Sequence, residues 1–93
     1  MKLSIDEINE KLKETSNWKY DNNEISKLFE LKDFADALSF TIKVGIEAEK
    51  CDHHPDILLH SWNKVKVNIS THSEGGITNK DFNLAKNIDG IKF

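Results

Sequence analysis

The sequence predicts an α+β domain in which a four-stranded antiparallel sheet carries three helices on one face, in the order α-β-β-α-β-β-α. Segments whose apolar residues recur at helical spacing are separated by pairs of segments in which apolar and polar residues alternate. Strands joined through short turns pair as antiparallel neighbours. At 93 residues we expect a single domain spanning residues 1–93.

The first half of the chain contains a helix, a hairpin and a second helix. Ser4 and Glu7 fit a capping box, which begins a helix that we expect to end near Thr15. The segment 18–31 has a turn-rich centre and predicts a β-hairpin, and Asp33 can cap the second helix. The predicted core face of this helix is Phe34, Ala37, Leu38, Thr41, Val44, Gly45 and Ala48, and the ridge beside it is Ile42, Ile46, Glu49 and His53.

The second half begins at Pro55, the only proline. A proline excludes the helical region for the residue before it, so the second helix must end near His53. Residues 57–62 predict a short strand. Residues 64–71 alternate, so Val65, Val67, Ile69 and Thr71 share the buried face, and His72 comes next on the polar face. A third helix begins at residues 78–81 and buries Phe82, Ala85 and Ile88, with Leu84 as a further candidate.

The composition excludes several classes of function. The formal net charge is -3 and every cationic residue is a scattered lysine, which argues against nucleic-acid binding. No apolar run approaches the roughly 18 residues of a membrane span. The single Cys51 cannot form an internal disulfide and fits a reducing compartment. We therefore expect a soluble cytoplasmic protein, and because so short a chain has a small core, a homodimer or a dimer of dimers.

The candidate site is the run Glu49-Lys50-Cys51-Asp52-His53-His54-Pro55, together with His72. Histidine side chains exchange protons near neutral pH, so a cluster of them could carry out acid-base chemistry. If the helix continues to His53, Glu49 lies one turn below it and can accept its ring N–H, which would fix the tautomer. The alternative is that the adjacent histidines only cap a helix in solvent.

Other residues have competing interpretations. Three histidines and a carboxylate could bind zinc, but adjacent histidines do not easily reach one ion, so we expect no metal. Cys51 fits a small buried residue better than a nucleophile, and His60 fits a surface residue. Trp18 and Trp62 fit packing residues better than stacking platforms. Asp81 is explained equally well by helix capping and by support of the site.

The spacing of these residues resembles the pterin-4a-carbinolamine dehydratase family, also called the dimerisation cofactor of a homeodomain transcription factor. An acidic residue is followed at fixed distances by His-His-Pro, an aromatic, a histidine and an aspartate, and this chain has Glu49, His53-His54-Pro55, Trp62, His72 and Asp81. Trp18 and the segment 29–34 are also similar to the family. Two departures are Trp62, where tyrosine is common, and the segment 56–60, which is poorer in aromatics.

The resemblance implies dehydration of 4a-hydroxytetrahydropterin to quinonoid dihydropterin, which recycles the tetrahydrobiopterin-type cofactor of aromatic amino-acid hydroxylases. It implies proton transfer by His53 and His72, positioning of the pterin by His54, and no metal or organic cofactor. The implied substrate contacts are Asp52, Ser70, Thr71 and Ser73, in addition to the three histidines. The implied supporting residues are Glu49, Pro55, Trp62, Asp81 and Trp18. The alternative function is a non-catalytic dimerisation or coactivator module with the same fold.

Overall fold

The computed structural model describes residues 1–92 and confirms the predicted order of helices and strands. At the start of the first helix, the Ser4 hydroxyl accepts from the Glu7 amide and the Glu7 carboxylate accepts from the Ser4 amide, as predicted. This helix ends at Leu12 rather than near Thr15. The elements are α1 Ile5–Leu12, β1 Lys19–Asp21, β2 Glu24–Glu30, α2 Phe34–Cys51, β3 Asp56–His60, β4 Lys64–Ile69 and α3 Asn79–Asp89, with a 3₁₀ turn at His72–Glu74.

The four strands form one antiparallel sheet in the spatial order β1-β2-β4-β3. The first hairpin has a two-residue turn, Asn22-Asn23, and both residues have positive φ angles. The second hairpin has a three-residue turn, residues 61–63, in which Ser61 and Trp62 have positive φ angles. Strand β3 therefore ends at His60 and does not reach Trp62 as predicted. In the pairing of β3 with β4, Asp56 lies opposite Asn68, so the start of β3 and the end of β4 are at the same end of the sheet.

One face of the sheet carries the helices and forms the core. Val65, Val67 and Ile69 of β4 are fully buried on this face, as the alternation predicted, and Ile25 of β2 is buried beside them. The third helix adds its predicted residues to the same core. These are Phe82, Leu84, Ala85 and Ile88.

The face that α2 buries differs from the prediction. Ala37, Val44 and Ala48 are buried as expected, but the large core residue of this helix is Phe40, which lies between them at helical spacing. Phe34 and Leu38 were predicted to be core residues, but both are about half exposed and neither joins the core. The helix is rotated so that its exposed side carries an apolar ridge, which we call the α2 ridge: Phe34, Leu38, Ile42 and Ile46.

Helix α2, at 18 residues, is the longest helix within residues 1–92. Neither it nor any other helix in this range combines the length and the apolar character that crossing a membrane requires. The α2 ridge covers one side of the helix, and acidic and lysine side chains such as Glu47, Glu49 and Lys50 interrupt the rest of the surface.

A charged cluster closes the core beside β2. Lys27 occupies a position on the helix-facing side of the sheet, between Ile25 and Phe29, and its side chain is only 13% exposed. Its ammonium lies 2.8 Å from Asp89 Oδ1 at the end of α3, and the Trp18 indole N–H donates to Asp89 Oδ2 at 2.9 Å. Trp18 is buried and meets Phe29 edge to face, so its predicted packing role is confirmed.

Candidate active site

The centre of the site is a pair formed by His53 and Asp81. Asp81 lies in the first turn of α3, is fully buried, and its Oδ1 is 2.6 Å from His53 Nε2. The His53 side chain is 11% exposed, so nearly all of the ring is enclosed by protein. Burying a carboxylate is costly unless hydrogen bonds and an opposite or polarisable partner compensate. The pairing therefore satisfies a strict physical requirement and also places an imidazole beside a fixed anion.

The second oxygen of Asp81 is held by two more donors. The Thr78 amide and the Thr71 hydroxyl each donate to Asp81 Oδ2 at 2.8 Å. The Thr71 and Thr78 hydroxyls are 2.9 Å apart and also hydrogen bond to each other. The bond from Thr78 is half of the capping box that begins α3. Both interpretations of Asp81 are thus correct in geometry, since one carboxylate caps the helix and contacts a site histidine.

The predicted contact between Glu49 and His53 is wrong. Helix α2 ends at Cys51, and Asp52 adopts the left-handed conformation, with φ 52° and ψ 45°. The amides of Asp52 and His53 bond back to the carbonyls of Glu49 and Ala48, which closes the helix. Because the chain leaves the helical path at Asp52, the spacing of four residues no longer places His53 above Glu49. His53 turns toward α3 instead.

Glu49 contacts the next histidine. Its Oε1 is 2.8 Å from His54 Nε2, and both side chains are mostly exposed. His54 also lines a largely apolar hollow of about 680 Å³ together with Pro55, Ile57 and part of the α2 ridge. The two adjacent histidines therefore have different environments, one enclosed beside α3 and one open beside α2, and each is paired with its own carboxylate.

His72 lies in the loop that follows β4. Thr71 and Gly76 pair across this loop, and the 3₁₀ turn from His72 is ended by Gly75, whose φ of 71° favours glycine. The His72 ring is exposed and makes no hydrogen bond to any side chain or backbone group within residues 1–92. It lines a hollow of about 240 Å³ with Ser70, Gly75, Gly76 and residues 22–24.

The three histidines thus lie at the same end of the sheet, but each has its own surroundings. The hollow beside His54 and the hollow beside His72 share no residue. The link between the two sides passes through Asp81, which contacts His53 directly and contacts Thr71, the residue before His72. A single pocket lined by all three rings remains a prediction.

The predicted substrate contacts fall into two groups. Asp52 and Ser73 are exposed, and Ser70 is partly buried beside His72, so all three present polar groups near the histidines. Thr71 is buried, and its hydroxyl, amide and carbonyl all hydrogen bond within the protein. We therefore treat Thr71 as a supporting residue and not as a substrate contact.

Two of the other sequence predictions are wrong. Trp62 is 60% exposed in the turn between β3 and β4, so it does not pack in the core. Cys51 is exposed at the end of α2 and is not a small buried residue, and its thiol lies 3.6 Å from the Ala48 carbonyl. Pro55 precedes β3 as expected and lines the hollow beside His54.

Over residues 1–92, no cluster of three or more histidine, cysteine and acidic side chains has a geometry that could hold a metal ion.

Sequence reasoning missed the contribution of Thr78. Its amide and hydroxyl both take part in the network around Asp81. The signal was present, because Thr78 and Asp81 have the spacing of a capping box. What the spacing could not indicate is that this helix start is buried against the strand end that bears Thr71.

The fold and site define a class of protein: a small α+β domain with carboxylate-paired histidines at one end of an antiparallel sheet. Comparison with known proteins identifies the family. The sequence profile of the family described as "Pterin 4 alpha carbinolamine dehydratase" matches residues 1–91. The chain therefore belongs to the pterin-4a-carbinolamine dehydratase family.

Individual relatives agree. The chain is 45% identical over 92 residues to a candidate pterin-4-alpha-carbinolamine dehydratase of Sulfolobus acidocaldarius, covering 99% of this chain and 100% of the relative. It is 46% identical over 89 residues to one from Roseiflexus castenholzii, covering 96% and 95%. A crystal structure of a Brucella melitensis protein, described as a transcriptional coactivator/pterin dehydratase, superposes with a TM-score of 0.88 at 34% identity and covers 96% of both chains.

A more distant structure shares the fold. It is a pterin dehydratase-like protein described as a RuBisCO assembly factor in the alpha-carboxysome, with a TM-score of 0.65. It is 17% identical to this chain, and the match covers 80% of this chain and 87% of the other. At this level of identity the likeness concerns the architecture alone.

Proposed function

We propose that this protein dehydrates 4a-hydroxytetrahydropterin to quinonoid dihydropterin by histidine acid-base catalysis. The observation that carries the proposal is the pairing of the enclosed His53 ring with the buried Asp81 carboxylate, at the end of the sheet where His54 and His72 also lie. A histidine held by a buried carboxylate is suited to accept or give a proton repeatedly in one orientation. Membership of the dehydratase family supplies the substrate class.

The reaction needs two proton movements. The bond between C4a and its hydroxyl oxygen breaks, and the oxygen takes a proton and leaves as water. N5 loses its proton, and the electron pair of that bond forms the new double bond to C4a. General acid and general base groups each contribute about 10²- to 10⁴-fold to such steps. We assign these roles to His53 and His72, and the positioning of the pterin to His54.

The remaining polar groups fit this assignment. Asp52, Ser70 and Ser73 flank the histidines and present hydrogen-bonding groups that suit the amide edge of a pterin. Glu49 orients His54, and Asp81 orients His53. The chemistry needs no metal and no organic cofactor, because every step is a proton transfer or the loss of water.

In the cell, we propose that the reaction recycles a tetrahydrobiopterin-type cofactor for an aromatic amino-acid hydroxylase. A cytoplasmic location is consistent with the exposed unpaired thiol of Cys51, which a reducing compartment preserves. The net charge of -3 and the scattered lysines favour a small-molecule substrate over nucleic acid.

The test follows the dehydration of freshly prepared 4a-hydroxytetrahydropterin by stopped-flow absorbance. We expect His53→Ala and His72→Ala to lower kcat by about 100-fold or more. His60→Ala is the matched control, because this histidine pairs with Ser61 in the β3–β4 hairpin, at the end of β3 away from the site. Equal rates for all four proteins would reject the acid-base assignment, and an inactive wild type would reject the enzymatic function.

A binding role is the second candidate, and the α2 ridge is the observation that favours it. Ile42 is 65% exposed, and the other three ridge residues are also exposed along the same side of the helix. An exposed apolar stripe of this kind marks a contact surface in soluble proteins. We propose that it forms a homodimer or a dimer of dimers, or receives a helical segment of another protein.

Light scattering at micromolar concentration tests the assembly. We expect a dimer or tetramer for the wild type and a smaller species for Ile42→Glu, because the charge is desolvated at the contact. Leu28→Glu is the control, since Leu28 is an exposed apolar residue on the opposite face of the sheet. A monomeric wild type would contradict the proposed assembly. Retained dehydratase activity in a monomeric Ile42→Glu protein would show that the two functions are separable.

A further inference from the structure

We infer that His53 exchanges its proton with the substrate through Nδ1, and that Thr71 is a positioning residue that acts on His53 through Asp81. The assignment of the hydrogen to Nε2 and of the lone pair to Nδ1 concerns one ring and does not depend on the reaction. The proton exchange with the substrate and the role of Thr71 rest on the proposed dehydratase function. The hydrogen-bond donors and acceptors around the Asp81 carboxylate determine the assignment.

The Asp81 carboxylate can accept hydrogen bonds but has none to donate when ionised. It lies in the first turn of α3, where the peptide dipoles stabilise an anion, and its Oδ2 already receives the Thr71 hydroxyl and the Thr78 amide. The atom 2.6 Å from Oδ1 is His53 Nε2, so this nitrogen must carry a hydrogen. In the neutral ring the lone pair is then on Nδ1.

The other ring nitrogen is available for chemistry. His53 Nδ1 makes no hydrogen bond to any group within residues 1–92. Nε2 is committed to a fully buried partner, and the ring keeps 11% of its surface exposed. A proton therefore enters and leaves this histidine at Nδ1, while Nε2–H stays bonded to the carboxylate.

The hydroxyl of Thr71 completes a one-way chain of donors. Its single hydrogen is donated to Asp81 Oδ2, so the hydrogen in its bond with Thr78 must come from the Thr78 hydroxyl. The Thr78 oxygen accepts in turn from the Lys80 amide. Every bond in this chain points toward the carboxylate, and bonds aligned in this way strengthen one another in a buried site. Removing the Thr71 hydroxyl leaves Asp81 with one donor fewer and the Thr78 hydroxyl with no acceptor.

Thr71 also connects the two sides of the site. Its amide and carbonyl pair with Gly76 and so close the loop that carries His72, while its side chain holds the carboxylate that orients His53. A single residue therefore sets the direction of one imidazole and the position of the loop bearing another. This arrangement explains why a buried threonine stands at a position where the strand pattern would accept valine.

The experiment uses the full chain labelled with ¹⁵N-histidine and records long-range ¹H–¹⁵N correlations, which report which ring nitrogen carries the hydrogen. We expect the neutral ring of His53 in the wild type to be the Nε2–H tautomer. Thr71→Val should give a mixture of tautomers and lower kcat by about tenfold with less than about twofold change in KM. Thr71→Ser should restore both. Thr15→Val is the matched control, because the Thr15 hydroxyl bonds only to the Leu12 carbonyl, and it should change neither.

Asp81→Asn is a second variant, and it should favour the opposite tautomer of His53. Its carbonyl oxygen can keep the Thr71 and Thr78 donors, and its NH₂ then faces His53, which forces the Nδ1–H tautomer. A wild-type ring protonated on Nδ1, or an unchanged spectrum in Asp81→Asn, would overturn the nitrogen assignment. Wild-type spectrum and kcat in Thr71→Val would overturn the role of Thr71. An inactive wild type with the Nε2–H tautomer would reject the proposed function and support the nitrogen assignment.

Discussion

Helix α3 carries a carboxylate at each end, and the two have different partners. Asp81 in the first turn is fully buried and accepts from a histidine ring, a hydroxyl and an amide. Asp89 in the last turn is 28% exposed and accepts from the Lys27 ammonium and the Trp18 indole N–H. The helix dipole favours an anion in the first turn and disfavours one in the last. Asp89 therefore depends on a cation, and Asp81 does not.

The difference in partners indicates that the Asp81 end of α3 can take part in proton transfer, whereas the Asp89 end stabilises the packing of α3 against the sheet. An imidazole has a second nitrogen that exchanges a proton near neutral pH, whereas an ammonium and an indole N–H remain donors throughout that range. A hollow of about 600 Å³ lies beside Lys27 and Asp89, and none of the residues lining it is a histidine. The volume of a hollow is thus a weaker indicator of function here than the identity of the groups that a carboxylate orients.

The largest expected effect is on activity. Asp81→Asn should lower kcat by about 100-fold or more, because the histidine is held in the wrong tautomer. Asp89→Asn, the same chemical change at the other end of α3, should leave kcat within about threefold. Stopped-flow absorbance measures both, with circular dichroism to establish that the variants are folded. An equal loss of kcat in the two variants would show that the two ends of α3 do not differ in their contribution to activity.

The next effect is on stability. Asp81→Ala leaves the Thr71 hydroxyl and the Thr78 amide without their buried acceptor, and we expect the free energy of unfolding to fall by about 3 kcal/mol. Asp89→Ala should cost about 1.5 kcal/mol, since the Asp89 carboxylate is partly exposed and water can take its place as acceptor. Urea denaturation measures both. A larger loss for Asp89→Ala would show that the packing end of α3 carries more of the stability.

A smaller change in the free energy of unfolding is expected when Lys27 and Asp89, the ion pair at the end of α3, are both replaced. Lys27→Met with Asp89→Asn removes a charge from a core-facing strand position, and the double variant should lie within about 1 kcal/mol of the wild type. Each single variant should be less stable than the double one, because it leaves one charge uncompensated. A double-mutant cycle in urea gives the coupling energy, and additive losses would mean that the two charges do not interact.

The smallest effect concerns Glu7, which has the same capping-box position in α1 as Asp81 in α3 but lies in solvent. Its hydrogen bonds with the backbone and hydroxyl of Ser4 lower the pKa of this carboxyl below its ordinary value of 4.5. A lowered carboxyl pKa adds stability above the unfolded pKa, and this stability is lost as the pH falls through the folded pKa. Glu7→Gln should therefore be slightly less stable than the wild type at pH 7, and the difference should shrink as the pH is lowered below 4.5. Thermal unfolding over this pH range measures this, and a constant difference would contradict it.

The sequence was sufficient for elements whose signals are local. The alternation at residues 64–71 predicts which residues of β4 are buried, and the Ser4 and Thr78 caps predict where α1 and α3 begin. The rotation of α2 was predicted wrongly, because apolar residues cover more than one side of this helix and periodicity alone could not choose Phe40 over Phe34 and Leu38. If the α2 ridge is a contact surface, its residues are apolar because they are buried against a partner and not in the core of the single chain.

The sequence predicted which residues form the site, but it did not predict which carboxylate contacts which histidine. The spacing of His53, His54, His72 and Asp81 identified the groups. Which histidine each carboxylate contacts depends on one backbone conformation, that of Asp52, and an aspartate in the left-handed region has no reliable signal in a single sequence. Long-range contacts such as Thr71 with Asp81 depend on how α3 docks on the sheet, which local patterns do not encode.

The left-handed conformation of Asp52 has a consequence for engineering and for evolution. It gives the two adjacent imidazoles different surroundings. Which surroundings a histidine has is therefore determined by its distance in sequence from the end of α2. Inserting one residue between Glu49 and His53 would move His53 into the place of His54, and deleting one would move His54 into the place of His53. In either case one of the two environments would lose its imidazole. Variation in the length of this short connection should therefore be far less tolerated than variation in its side chains.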